Sequence, residues 1–210
     1  LPAITAPSRT ETRRRLGVPE RASLIVWPTA RWQLPSSHDQ PDLARTAARL
    51  AELVVPVFAA LGDEVTIAHV SPEPIATAVP PSYRHIAQLP PSQFEALVGA
   101  ADVLLSFNAV ASSLATAVSL GVPTALCTSR SRWAWPLSLD GILAPLVRDN
   151  PFYATMSRLD PERADELIAG LRALLFDADV RDQRRAAQAS YRDAVSRLPD
   201  GASRLLEISA

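Results

Sequence analysis

Short apolar runs alternate along this chain with longer segments whose apolar residues recur every three or four positions. The runs are Leu24–Trp27, Val65–Val70, Val103–Ser106 and Val122–Cys127, with a shorter, more polar one at Tyr83–Ile86. Runs of this length read as strands, and those without polar alternation read as strands buried on both faces. Between them lie helical patterns. Asp42–Leu61 carries apolar residues at Leu43, Ala47, Leu50, Leu53, Val54 and Val57, ends at Gly62, and contains Pro56, which predicts a kink or a break. Gln93–Ala101 follows Pro90-Pro91-Ser92, with Ser92 as the expected cap, and Ala109–Leu120 stops at Gly121.

The two ends of the chain read differently. Residues 1–9 hold two prolines and no periodicity and read as a linker, followed by a short helix over Thr10–Gly17. Phe152–Met156 is expected to be a last strand, and a short helix is expected within Leu139–Asn150. Asp160-Pro161-Glu162 reads as the opening of a helix that runs to Phe176, followed by helices over Asp179–Leu198 and Ala202–Ile208. Strand and helix in alternation predict an α/β fold: a Rossmann-like, doubly wound parallel sheet of about six strands, with helices on both faces and a helical C-terminus. The domain spans residues 10–210. In such sheets ligands bind beyond the carboxyl ends of the strands, so the loops after Trp27, Val70, Ile86, Ser106 and Cys127 are the candidate site.

Composition narrows the chemistry. The formal net charge of -1 carries no nucleic-acid or membrane footprint, and no stretch approaches the roughly 20 apolar residues of a membrane span. All 21 basic residues are arginine, which excludes a lysine Schiff base or a lysine phosphate clamp and gives the chain a bacterial-type composition. The single cysteine, Cys127, forbids an internal disulfide, and a cytoplasmic setting is expected. The start, Leu1-Pro2-Ala3-Ile4-Thr5-Ala6-Pro7, reads as an interdomain linker, so a fragment of a longer protein is expected.

Several constellations are missing. No GxSxG, Walker A, GxGxxG, HxxxH or CxxC spacing occurs, and His38, His69 and His85 are scattered, so no metal is expected. His69 sits at a strand's carboxyl end and either faces the crevice or is a plain surface or core histidine. Arg13-Arg14-Arg15 is either an anion patch or a solvated helix face. What remains is the turn around Asn108, Ser112 and Ser113 at a helix N-terminus, where free amides and the helix dipole suit an anion, and where capping is the plainer role. Arg31, Arg130 and Arg132 follow strands and could neutralise a diphosphate, with Trp32, Trp133 and Trp135 beside them to stack on a sugar or base or to pin the loops.

The stretch from Arg84 to Ser129 resembles the donor-binding, C-terminal domain of GT-B glycosyltransferases. The matching residues are Gln88-Leu89-Pro90, Ala101-Asp102, Ser106, Asn108, Ser113 and Gly121-Val122-Pro123. Arg15-Leu16-Gly17-Val18-Pro19 and Leu159-Asp160-Pro161 are similar too. The resemblance implies a nucleotide-sugar donor as substrate, with no further cofactor. It implies contacts from Thr29, Arg31, Ile86, Gln88, Asn108, Ala111, Ser112, Ser113 and Thr116, and an acceptor domain absent here, in cis or on another chain. The catalytic base would lie in that other half, so the chain alone is expected to have no turnover. Two departures stand out. Asn108-Ala109-Val110 replaces the family's frequent His-Gly-Gly, and Thr116 replaces its ribose-binding glutamate. They keep two alternatives open: a degenerate, non-catalytic partner domain, and a nucleotide-sugar 2-epimerase of the same fold.

Overall fold

A computed structural model describes residues 8–37, 39, 41–75, 78–128 and 149–198. The described elements, in chain order, are α1 (Arg9–Arg15), β1 (Ser23–Pro28), α2 (Pro41–Leu61), β2 (Val65–Val70), β3 (Tyr83–Ile86), α3 (Pro91–Ala100), β4 (Val103–Ser106), α4 (Ser112–Leu120), β5 (Thr124–Cys127), α5 (Pro151–Ala154), β6 (Ser157–Leu159), α6 (Ala164–Phe176) and α7 (Ala178–Ser196). The strands form one parallel sheet in the order β3-β2-β1-β4-β5-β6. The chain builds outward from β1 to β3, returns to the other side of β1, and builds outward again from β4 to β6. The reversal falls between β1 and β4.

Burial on both faces explains the apolar runs. In β1, Ile25 and Trp27 point into a core shared with Leu50, Val54, Val57 and Phe58 of α2 and with Leu167, Leu171 and Leu174 of α6. Leu24 and Val26 point the other way, into a core with Leu97 and Val98 of α3 and Leu114 and Val118 of α4. All four β1 side chains are fully buried. The expected doubly wound sheet is therefore present, with helices on both faces.

Several element boundaries differ from the expectation, each for a local reason. Helix α2 runs unbroken through Pro56. Pro56 is exposed, and so is Glu52, whose carbonyl loses its helical donor, so water can satisfy that group while the apolar stripe stays packed. The aromatic run at Phe152–Met156 is not a strand. Asn150 accepts from the Phe152 amide at 2.9 Å and Pro151 holds the first helical position, which starts the short α5 and moves β6 to Ser157–Leu159. Asp160 accepts from the Glu162 amide at 3.0 Å, forming a turn that delays α6 to Ala164. Helix α3 starts at Pro91, with Pro90 in the cap position and no cap from Ser92. The linker gives way one residue early: Ser8 caps α1 by accepting from the Glu11 amide at 3.2 Å, and Arg9 is already helical. At the end of α4, Gly121 adopts φ 71°, the left-handed cap its position predicts. The helices expected at 139–148 and 202–208 lie outside the described residues.

Asp102, between α3 and β4, ties three parts of the fold together. Its Oδ2 accepts from the Leu24 amide at 2.7 Å and from Arg13 Nη1 at 3.1 Å, and its Oδ1 accepts from Arg9 Nη2 at 2.6 Å. Arg13 also donates to the Ala22 and Ala100 carbonyls. The triple arginine thus divides: Arg13 joins the clasp, while Arg14 and Arg15 lie exposed and pair with Glu11. Arg13 and Asp102 are only 14% and 23% exposed, so replacing the carboxylate strands a backbone amide and a guanidinium with little water to compensate. Asp102→Ala should cost about 2–3 kcal/mol in urea unfolding. Asp102→Asn, which keeps an acceptor for Leu24, should cost less, and Glu11→Ala should barely move the midpoint.

Candidate functional site

The pairing of β1 with β4 sets the loops that follow them side by side, at the reversal in strand order. The loop after β1 is held from within. The Thr29 amide donates to the Val70 carbonyl at 2.9 Å, the buried Gln33 side chain accepts from the Ala30 amide at 2.8 Å, and Leu34 inserts into the core. Ser36 bonds Glu73, linking this loop to the one after β2. Between these anchors Arg31 is exposed at the start of a single 3-10 turn, Arg31–Gln33.

The loop after β4 forms the opposite wall. Ser106 Oγ accepts from the Asn108 amide at 3.1 Å and lies 3.0 Å from the Asn108 carbonyl. Asn108 Oδ1 accepts from the Val110 amide at 3.0 Å, so the buried asparagine shapes the turn and does not cap the helix. Helix α4 consequently begins at Ser112, three residues later than the pattern predicted, with Ala111 in the cap position and no side chain to fill it. Among the described residues nothing accepts from the Ser112 and Ser113 amides. Ser113 is buried, and its Oγ has no hydrogen-bond partner. Val110, at the tip of the turn, is 62% exposed. Tyr153 supports the turn from below by donating to the Ala109 carbonyl at 2.7 Å.

His69 belongs to this end of the sheet but to its interior. It is fully buried, its ring stacks on Trp27 at 4.1 Å, Nδ1 lies 2.5 Å from Tyr83 Oη, and Nε2 lies 2.8 Å from Thr29 Oγ1. Of the two roles its position allowed, the core one holds. Burial, with a smaller contribution from the neighbouring His85, lowers its pKa to about 3, so the ring is neutral.

The predicted contacts therefore separate. Thr29 and Arg31 lie in the loop after β1, and Asn108, Ala111, Ser112 and Ser113 lie after β4, the strand that pairs with β1. Ile86 is half-buried against the core formed with α3 and α4, and Gln88 is exposed beyond β3, two strands away. Thr116 lies one turn into α4, and its hydroxyl donates back to the Ser112 carbonyl at 3.4 Å. Arg130, Arg132, Trp133 and Trp135 lie outside the described residues. Tyr83 was missed as a member of the site; its place on a strand next to that of His69 was the available signal. Burial pushes the Cys127 thiol pKa up, which leaves it inert. Among the described residues there is no cluster of three or more His, Cys, Asp or Glu side chains, and no helix is long and apolar enough to cross a membrane. A separate, mostly apolar groove between α5 and α7 is lined by Ala154, Thr155, Ser190, Tyr191, Ala194 and Val195.

The sequence matches the family DUF6365, a family of unknown function, over residues 1–134 and 133–210. The chain belongs to this family. No curated protein matches it in sequence. In fold this DUF6365 chain is similar to WaaG, a glycosyltransferase involved in lipopolysaccharide biosynthesis, with a TM-score of 0.55, 16% identity, and coverage of 92% of this chain and 47% of that one. The spinosyn rhamnosyltransferase SpnG gives 0.55 and 14% identity, covering 90% and 46%, and the glycosyltransferase SnogD from Streptomyces nogalater gives 0.52 and 14%, covering 91% and 45%. The chain thus has a GT-B-like Rossmann fold and spans less than half the length of each of these proteins.

The neutral His69 predicts a pH dependence. The unfolded chain takes up its proton near pH 6.5, the folded chain only near pH 3, so the contribution is full above pH 6.5 and is lost as the pH falls towards 3. Unfolding free energies from urea titrations between pH 7 and pH 4 should fall by up to about 1.4 kcal/mol per pH unit below pH 6.5. The His69→Gln chain should lack that component.

Proposed function

We propose that this chain is the donor-binding half of a GT-B-type glycosyltransferase, and that its switch-point crevice holds the diphosphate of a nucleotide-sugar. One observation carries the reading: at the start of α4 the amides of Ser112 and Ser113 and the buried hydroxyl of Ser113 all lack partners among the described residues. Unpaired donors at a helix N-terminus, set at the reversal of a doubly wound sheet, form an anion site. The neighbours in fold include several glycosyltransferases, and in each of these the matched part is less than half of the chain.

In this reading the diphosphate accepts from Ser112 N, Ser113 N and Ser113 Oγ. Exposed Arg31 reaches in from the opposite wall with a forked contact. The nucleobase lies towards Ile86, Gln88 and Leu89, and Thr116 stands where the ribose is bound. Fixed dipoles and one guanidinium stabilise the departing nucleoside diphosphate. The catalytic base and the acceptor site belong to a second half, in cis or on another chain. An epimerase would need a histidine and carboxylates in the crevice, and His69 is buried and neutral.

Thermal-shift titrations with UDP, GDP, dTDP, CDP and ADP test the site. One of them should stabilise the fold, by about 2.7 kcal/mol at a hundredfold excess over its Kd. Ser113→Ala and Arg31→Ala should each weaken that nucleotide about tenfold or more. Silence with all five would point instead to a non-catalytic partner domain. The chain alone should transfer no sugar, and measurable transfer would contradict the division into halves.

A further inference from the structure

We propose that Tyr83, His69 and Thr29 form a positioning relay that keeps the Thr29 hydroxyl hydrogen free, as a donor to an anionic oxygen of the ligand in the switch-point crevice. The inference rests on the reading above that this crevice takes a diphosphate.

Tyr83 opens β3, His69 is the penultimate residue of β2 and Thr29 is the first position after β1, so the relay crosses three neighbouring strands from the start of β3 to the carboxyl end of β1. Tyr83 Oη lies 2.5 Å from His69 Nδ1, and His69 Nε2 lies 2.8 Å from Thr29 Oγ1. Trp27 stacks on the ring at 20° and fixes its plane. A neutral imidazole has one N–H and one bare nitrogen, so the chain of bonds can run in either direction.

Counting hydrogens decides the direction. Tyr83 Oη already accepts from the Ile75 amide at 3.4 Å, and the ring nitrogen is the one acceptor among the described residues placed for the phenol hydrogen. A protonated Nδ1 would leave that hydrogen buried and unused, which folded proteins seldom tolerate. Ser71 Oγ, 3.4 Å from Nδ1, does not alter the count, because it donates to the Glu73 carbonyl at 2.5 Å. Nδ1 is therefore bare and accepts from Tyr83, and Nε2–H donates to Thr29 Oγ1. With Oγ1 occupied as an acceptor, the Thr29 hydrogen has no described acceptor. Thr29 directly follows β1, whose partner strand β4 leads into the turn before α4.

His69 in this arrangement moves no proton. It holds one hydroxyl in the donor sense before the ligand arrives, which removes an orientation cost from binding. His85, the other titratable group near the ring, is turned away by its own bond from Nε2 to the Ser71 carbonyl at 3.0 Å.

Long-range nitrogen–proton correlation spectra of the labelled full chain, assigned with His69→Gln, read the tautomer directly. The Nε2–H form should persist from about pH 8 to pH 5, and Tyr83→Phe should convert it to the Nδ1–H form. A ring that is Nδ1–H or doubly protonated in the unaltered chain overturns the relay. Calorimetric titration with inorganic pyrophosphate and with the five nucleoside diphosphates gives the second readout. Thr29→Val and Tyr83→Phe should each weaken binding about tenfold, and the double variant no further, because both remove the same bond. His69→Gln, which retains an N–H donor, should bind within about threefold of the unaltered chain, and His69→Leu, which leaves the Thr29 hydroxyl present but unoriented, should fall between the unaltered chain and Thr29→Val. Additive losses, or none, overturn the relay. Should Tyr83→Phe fail to fold, the tautomer of the unaltered chain and the Thr29→Val titration decide. An Nε2–H ring in a chain that binds no probe overturns the diphosphate reading and the relay's ligand role together, whereas an Nδ1–H ring in a chain that binds overturns the relay alone.

Discussion

A parallel sheet covered on both faces leaves its strands nowhere to display chemistry except their ends. Ile25 and Trp27 point into one core and Leu24 and Val26 into the other. With every β1 side chain from Leu24 to Trp27 fully buried, the strand itself is spent on packing. The polar residues that could meet a ligand are pushed into the loops beyond. The order β3-β2-β1-β4-β5-β6 then decides which loops are neighbours. Because β1 and β4 pair directly, residues nearly eighty positions apart in sequence form two walls of one crevice.

Arginine carries much of the joinery that holds these layers. Arg9 and Arg13 clasp Asp102 and nearby carbonyls, Arg192 donates to the Val118 carbonyl at 2.6 Å near the end of α4, and Arg181 donates to the Leu175 carbonyl near the end of α6. A guanidinium offers several donors in a rigid plane, so one side chain can serve a carboxylate and a carbonyl together. Exposed pairs such as Arg197 with Asp193 contribute little by comparison, since water competes for both partners.

The crevice and the polar relay behind it are two layers of one arrangement. The front layer consists of unpaired donors: two amides and a serine hydroxyl at α4, with an exposed arginine opposite. In the back layer Tyr83, His69 and Thr29 are bonded in line. Leaving the first unsatisfied costs stability, and fixing the second gives the crevice a defined set of donors.

Much of this was written in the chain's local pattern. Unbroken apolar runs announced doubly buried strands, Gly121 ended α4 as its freedom at positive φ requires, and Asn108, Ser112 and Ser113 marked the crevice turn. Local pattern misled where a side chain chose a backbone partner that sequence does not name. Asn108 took the Val110 amide and delayed α4, Asn150 with Pro151 turned an aromatic run into a helix, and Asp160 held back α6. Roles that depend on distant partners belonged to the tertiary structure alone. Asp102 is one acid among many until β1 and α1 bring it Leu24, Arg9 and Arg13. His69 is equally a surface or a core residue until Trp27, Tyr83 and Thr29 enclose it. The sequence by itself determined which segments are buried, because burial follows from each residue's own transfer free energy. Only the tertiary structure decided which polar groups would meet, because hydrogen bonding needs two groups placed within about 3 Å.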